Sequence, residues 1–354
     1  MIGHIAQAEG APTPTLVLDR SGLPPDEERL RPVLTTIREW LADTGQEHVL
    51  KIAIVGPSDH PLFDLDYRFV QALPGGNDLF DFQGSCGHSI LASVVAAEDR
   101  GWLPRLAPGG RVRVRVLNNG DHVVCEVDEV RRRSGSFTVH FLQDTRVRLR
   151  ELLLTGRTTD QLLAGSGVYE TSLVSMGNPY VFIDARALGL DTEEKLFGAG
   201  DAVYEQLLTI REAAADLLRR PRSGTFPKIA ALGVYAPGRI AVRAISVPKW
   251  HPSVALTGTT CLATAAAIPG TVPARLAAEA GCPRGYVEIR TTGGDTAARA
   301  AVDPAVDEPA GGHGDFLQWV SVSRKLAHLT GPARITPLRD YDYQEDLACQ
   351  PLTV

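Results

Sequence analysis

CGHSILASVVAA, Cys86–Ala97, and TGTTCLATAAAI, Thr257–Ile268, superpose without a gap. Each opens with small polar residues around a glycine and continues as an almost wholly apolar run, with Leu-Ala at the same offset. Only four of the twelve positions are identical, a level Ala-rich helices also reach by chance, so the echo argues for duplication without proving it. A helix apolar all round must be surrounded by protein, and two such segments predict two central buried helices. With strand-like runs on either side in each half, the economical architecture is α/β (α+β). It has two pseudo-symmetric halves, each a curved, mostly antiparallel sheet wrapped around one core helix. The break is expected near TTDQLLAGSG, 158–167, which gives halves 1–160 and 161–354.

Runs rich in β-branched residues supply the strands: TLVLD (15–19), KIAIVG (51–56), RVRVRVL (111–117), HVVCEV (122–127), FTVHFL (137–142) and YVFID (180–184). Asn118–Gly120 separates two alternating runs and reads as a hairpin turn. Residues 26–42 carry Leu30, Val33, Leu34, Ile37 and Leu41 at helical spacing behind acidic first-turn residues, the pattern of an amphipathic surface helix. A second such helix is expected over Glu193–Arg219. DPAVDEPAGGHGD, 303–315, reads as a solvated loop.

Composition excludes several classes. With 354 residues, 44% hydrophobic and 22% charged, the chain is a globular protein of about two domains. The 36 Lys+Arg against 42 Asp+Glu leave a net charge of −6, unsuited to neutralising a phosphate backbone, so nucleic acid is not expected as a partner. The apolar run ILASVVAA, 90–97, is about half a membrane span, and the opening MIGHIAQAEG lacks the basic and apolar regions of an export signal. Five cysteines without CxxC spacing fit neither a disulfide framework nor a structural zinc site. These features predict a reduced, cytoplasmic protein with no membrane and no metal. No P-loop, Rossmann fingerprint, HExxH or GxSxG is present, so no nucleotide cofactor is expected.

The start of a buried helix presents unpaired N–H groups and the positive end of the helix dipole, which suits a carboxylate. If the halves face one another across a cleft, Cys86–Ser89 and Thr257–Thr260 would supply two such clamps, matching a substrate with at least two carboxylates. A thiol at a helix start, Cys86, should have a lowered pKa and could shuttle a proton, with a buried structural cysteine as the plain alternative. Cys125, in mid-strand, reads as core. Lys51 opens an apolar strand, where it either snorkels from the strand end or is buried for a purpose. A catalytic role would need it partly neutral near pH 7, about 4 to 5 kcal/mol of destabilisation of the cation from an ordinary pKa of about 10.4. His88 lies two residues from Cys86, where helical side chains diverge, which argues against a Cys-His pair. His251 either reaches the same cleft or is a loop histidine. In SMGNP, Ser175–Pro179, the Asn178 amide either binds a carboxylate or completes a turn. RRR at 131–133 reads as a solvated hairpin end.

KIAIV from Lys51, SCG at Ser85–Gly87 before an Ala-rich helix, SLVSMGNPYVFIDARALGL from Ser172 to Leu190, and TGTTCLATAAAIPGTV from Thr257 to Val272 together give a resemblance. The chain resembles the PrpF-like isomerases, the methylaconitate isomerase family, which is related to diaminopimelate epimerase. That resemblance implies a diaminopimelate-epimerase-like fold of two halves, an active site between domains and no cofactor. It also implies transfer of a proton between carbons of an unsaturated di- or tricarboxylic acid, with Lys51 and Cys86 matching the family's lysine and cysteine. Ser85, Gly87, His88, Ser89, Asn178, His251, Thr257, Gly258, Thr259 and Thr260 are then the expected substrate-binding residues. The family's RGGTS-type motif corresponds to EGAPT, Glu9–Thr13, without its arginine; the asparagine after Cys-Gly is His88; and a His-Pro-Ser-Gly pattern is replaced by TTGG, Thr291–Gly294. These departures imply a specialised substrate. The competing readings are a two-base epimerase or racemase of an amino or hydroxy acid, a non-catalytic carboxylate-binding protein, and a cysteine hydrolase. A homodimer stays open beside a monomer.

Overall fold

TLVLD and KIAIVG are buried on both faces because they lie side by side as parallel strands with a helix against each face of their sheet. The computed structural model in which they occur describes residues 1–73, 75–224, 226–246, 249–305 and 314–338. Residues 306–313 of the expected acidic loop, and Cys349, lie outside the described residues. The chain divides into an N-terminal unit, Met1–Phe137 together with the chain from Leu326, and a C-terminal unit, Thr138–Lys325. The division differs from the expected halves 1–160 and 161–354 because Ala327–Arg334 pairs antiparallel with Ile2–Ala8, completing the sheet of the N-terminal unit from the far end of the sequence.

In the N-terminal unit the strands are β1 (Ile2–Ala8), β2 (Thr15–Asp19), β3 (Lys51–Pro57), β4 (Leu65–Ala72), β5 (Phe80–Asp81), β6 (Arg111–Val116), β7 (His122–Arg131) and the start of β8 (Ser134–Arg148). Strands β1/β2, β3/β4 and β6/β7 pair antiparallel, whereas β2/β3 and β4/β6 pair parallel. The Asn118–Gly120 turn joins β6 to β7 as expected, with Gly120 at φ 79°. Helix α1 (Glu27–Asp43) begins where the Asp26 carboxylate accepts the Arg29 N–H at 2.9 Å. Its Leu30, Val33, Leu34, Ile37 and Leu41 pack on Leu16, Leu18, Ile52, Ile54 and Val70. Helix α2 (Gly87–Asp99) covers the opposite sheet face and is buried on all sides from Gly87 to Ala97.

The C-terminal unit contains β9 (Asp160–Ala164), β10 (Gly167–Met176), β11 (Asn178–Asp184), β12 (Lys228–Ala236), β13 (Arg239–Ser246), β14 (Lys249–Trp250), β15 (Tyr286–Thr291), β16 (Gly294–Asp303) and β17 (Phe316–Arg334) as far as Lys325. Strands β10/β11, β12/β13 and β15/β16 pair antiparallel; β11/β12 and β13/β15 pair parallel. The helix expected over Glu193–Arg219 is two, α3 (Glu193–Phe197) and α4 (Asp201–Leu217), because Gly198 and Gly200 interrupt it. Helix α5 (Leu256–Ala267) is buried at all of its residues, and α6 (Val272–Glu279) follows at a 78° bend. This pair is a longer apolar stretch than 90–97, and the bend breaks it. Among the described residues no single helix is long and apolar enough to cross a membrane.

Candidate active site

Strand register decides which way Lys51 points. Lys51 pairs with Thr15 on β2 and with Gln71 on β4, so these three side chains leave the sheet on one face. Leu16, Ile52 and Val70, the adjacent positions, take the other face against α1. The face of Lys51 is the one covered by α2, because the Thr15 hydroxyl lies 2.9 Å from that of Ser89 and the Tyr67 hydroxyl donates to the Cys86 carbonyl at 3.2 Å. Lys51 is only 6% exposed, and its side chain has no ion pair or hydrogen bond among the described residues.

Cys86 is the residue before α2, in extended conformation, and its side chain makes no capping hydrogen bond to the helix. The thiol is half-buried, whereas Cys125 and Cys261 are fully buried. Burial pushes the Cys125 thiol up to about 12 and raises that of Cys261 as well. The Tyr67 phenol is driven well above its usual range by burial first and by the neighbouring Cys86 charge second, so it stays a neutral donor. Gly87, His88 and Ser89 form the buried first turn of α2.

The expected residues of the C-terminal unit gather at the start of α5, where no side chain caps the helix. The Asn178 amide donates to the Thr257 hydroxyl at 3.0 Å, tying the SMGNP turn to the helix start. Thr257 keeps its own O–H to donate. Thr259 and Thr260 instead turn their hydroxyls onto the Ala255 and Thr257 carbonyls, at 3.2 and 2.9 Å. Gly258 lies under Tyr180, whose hydroxyl would be 2.5 Å from a Cβ there. His251 is buried, and its Nδ1 accepts the Ser253 N–H at 3.1 Å. The two helix starts are not in identical register: α2 begins after Cys86, while Thr257 is already the second residue of α5.

Residues 43–305, more than half of the chain and including Lys51, Cys86, Asn178 and Thr257, match the family described as PrpF protein. The chain belongs to the PrpF family. This PrpF protein is 26% identical over 261 residues to the 3-methylitaconate isomerase of Eubacterium barkeri, an alignment covering 63% of the chain and 68% of that relative. Its fold is similar to the crystal structure of a methylitaconate-delta-isomerase, with a TM-score of 0.61, 20% identity and coverage of 93% and 95% of the two chains. It is also similar to a hydroxyproline epimerase from Agrobacterium vitis, with a TM-score of 0.58, 14% identity and coverage of 94% and 92%. The PrpF protein thus shares the diaminopimelate-epimerase-like fold that the sequence resemblance implied. Thr15 and Tyr67, which hold the start of α2, were absent from the expected site because their bonds join residues 74 and 19 positions apart.

Proposed function

We propose that this PrpF protein is a cofactor-independent isomerase that moves a proton within an unsaturated di- or tricarboxylic acid. The observation that carries the reading is Lys51, a buried lysine without a partner among the described residues, on the sheet face to which Thr15–Ser89 and Tyr67–Cys86 fasten the start of α2. In its neutral form the Lys51 amine takes a proton from a carbon allylic to a carboxylate. The released electron pair forms a new double bond, the original one shifts toward the carboxylate, and a dienolate results. Backbone N–H groups at the start of α2 stabilise its charge. The Cys86 thiol then delivers a proton at the far end of the three-carbon system, and the thiolate and the Lys51 ammonium exchange protons with water to reset. Base and acid are interchangeable in the reverse direction.

The two units, each with its antiparallel and parallel pairings in the same order and one helix buried on all sides over most of its length, support reading them as pseudo-symmetric copies. In that reading Asn178 orients Thr257, and the α5 start offers backbone carboxylate donors of its own, with Gly258 leaving room for Tyr180. A two-base epimerase would want a second proton-transfer group there, and a threonine hydroxyl is a poor one. That favours an isomerase. The name of the 3-methylitaconate isomerase relative supports an unsaturated diacid as substrate.

Proton NMR of methylated maleates, itaconates and aconitates in deuterium oxide tests the reading. Solvent deuterium is expected at one carbon of the accepted acid, with no cofactor added. Lys51→Ala should slow the exchange by about 10²- to 10⁴-fold; exchange at the wild-type rate in that variant rejects the assignment.

A further inference from the structure

Two lysines of this chain are buried, and the proposed reaction uses one. The other is Lys325, 7% exposed, with no ion pair or hydrogen bond among the described residues. The buried arginines differ, since Arg38 donates to the Glu47 and Val49 carbonyls and Arg211 to those of Gly224 and Arg222.

The register of the C-terminal sheet gives Lys325 its direction. Val320 and Val322 pair with Ala300 and Ala298, and Ala298 pairs with Val287, all on the buried face. Helix α5 packs on that face, against β15 and β16. By simple alternation Arg324 would come next on it. Instead Arg324 adopts φ 58° and turns outward to Glu288, at 2.8 Å, and Lys325 takes the buried side.

Two ends fix the height. At one, Arg284 Nε donates to the Ala267 carbonyl at the C-terminus of α5. At the other, the Thr292 hydroxyl donates to the Pro252 carbonyl, and Gly293 is in close approach to Pro252 and Ser253, just ahead of Leu256. Strand β16 therefore runs alongside α5 from its start to its end, and β17, antiparallel to it, brings Ser323 to Ala297 and Lys325 beyond it, level with the start of α5. The α5 start has no capping side chain, and the Thr257 O–H is free to donate. Burial also lowers the Lys325 pKa to about 8. A buried lysine level with uncapped helix N–H groups supplies both the charge and the donors that an anion needs.

We propose that Lys325 and the start of α5 form a carboxylate-binding site in the C-terminal unit, with Lys325 as a substrate-binding residue. The proposal rests on the isomerase reading only for the class of ligand, a carboxylate of the unsaturated acid. The test is calorimetric titration of the full chain with itaconate and with its monomethyl ester, for the wild type, Lys325→Met and Lys325→Arg. Lys325→Met should weaken itaconate binding at least tenfold, because a charged hydrogen bond is lost. Lys325→Arg should stay within about threefold of wild type by keeping the charge. Far-UV circular dichroism confirms that both variants are folded. Itaconate affinity within twofold of wild type in Lys325→Met overturns the site. Deuterium exchange separates this outcome from that of the isomerase reading: affinity lost without any exchange in the wild type leaves the site standing alone, and exchange with unaltered affinity leaves only the isomerase.

Discussion

Lys325 makes the protein less stable than it could be. Burial takes its pKa from 10.5 to about 8, so between those values the unfolded chain holds a proton that the folded chain does not, and stability rises with pH across that window. At 1.36 kcal/mol per pH unit the shift corresponds to about 3 kcal/mol, imposed in full below pH 8 and relieved toward pH 10.5. Lys325→Met should therefore be more stable than wild type in urea at pH 7, with the gain shrinking by about 3 kcal/mol as pH is raised to 10.5. A gain that does not change with pH would mean that the ammonium is hydrated. A stabilising substitution that costs ligand affinity is the mark of a residue kept for binding. The thiols separate in the same way. Burial holds Cys125 and Cys261 protonated, so at pH 8 iodoacetamide followed by peptide mass spectrometry should leave both unmodified in the native protein, while the half-buried Cys86 reacts.

At the level of elements, sequence pattern reveals most where burial is one-sided or total. The amphipathic stripe of α1, the hairpin at Asn118–Gly120 and the apolar cylinders α2 and α5 were all legible, because each pattern has a single way of hiding its apolar surface. The start of α5 was not. Matching Cys86 to Thr257 placed the helix two residues late, since a first turn depends on the loop feeding it and Ala255 offers no capping side chain to read. Lys325 was missed for a related reason. Its inward turn depends on an arginine at positive φ, and such bulges are signalled in sequence only when glycine or asparagine fills them. Tyr180 imposes a constraint of its own on α5. It is 1% exposed and stacked on Phe182 at 5.6 Å, so it cannot swing away from a side chain added at Gly258. Gly258→Ala should cost about 1 to 3 kcal/mol by overpacking, measured by urea denaturation. Combined with Tyr180→Ala its cost should be smaller than in the wild-type background. An additive pair would place the strain elsewhere.

On the scale of the whole molecule, the division of the chain was the least legible feature. An internal echo invites a cut at the midpoint, but no local pattern tells a strand near residue 330 to pair with residues 2–8. That pairing yields a prediction. A chain ending at Lys325 should lose amide-exchange protection first in Ile2–Ala8 and then in Thr15–Asp19, which pairs with it, while β10–β13 keep theirs. Loss beginning in β10–β13 would contradict the division. The same pairing bears on biosynthesis. A ribosome delivers every residue of the C-terminal unit before it delivers the partner of the first strand, so the lobe carrying Lys51 and Cys86 is begun first and closed last. Until then the nascent polypeptide presents an open strand edge at β1, which makes the interval before β17 emerges the stage most exposed to chaperone capture or aggregation.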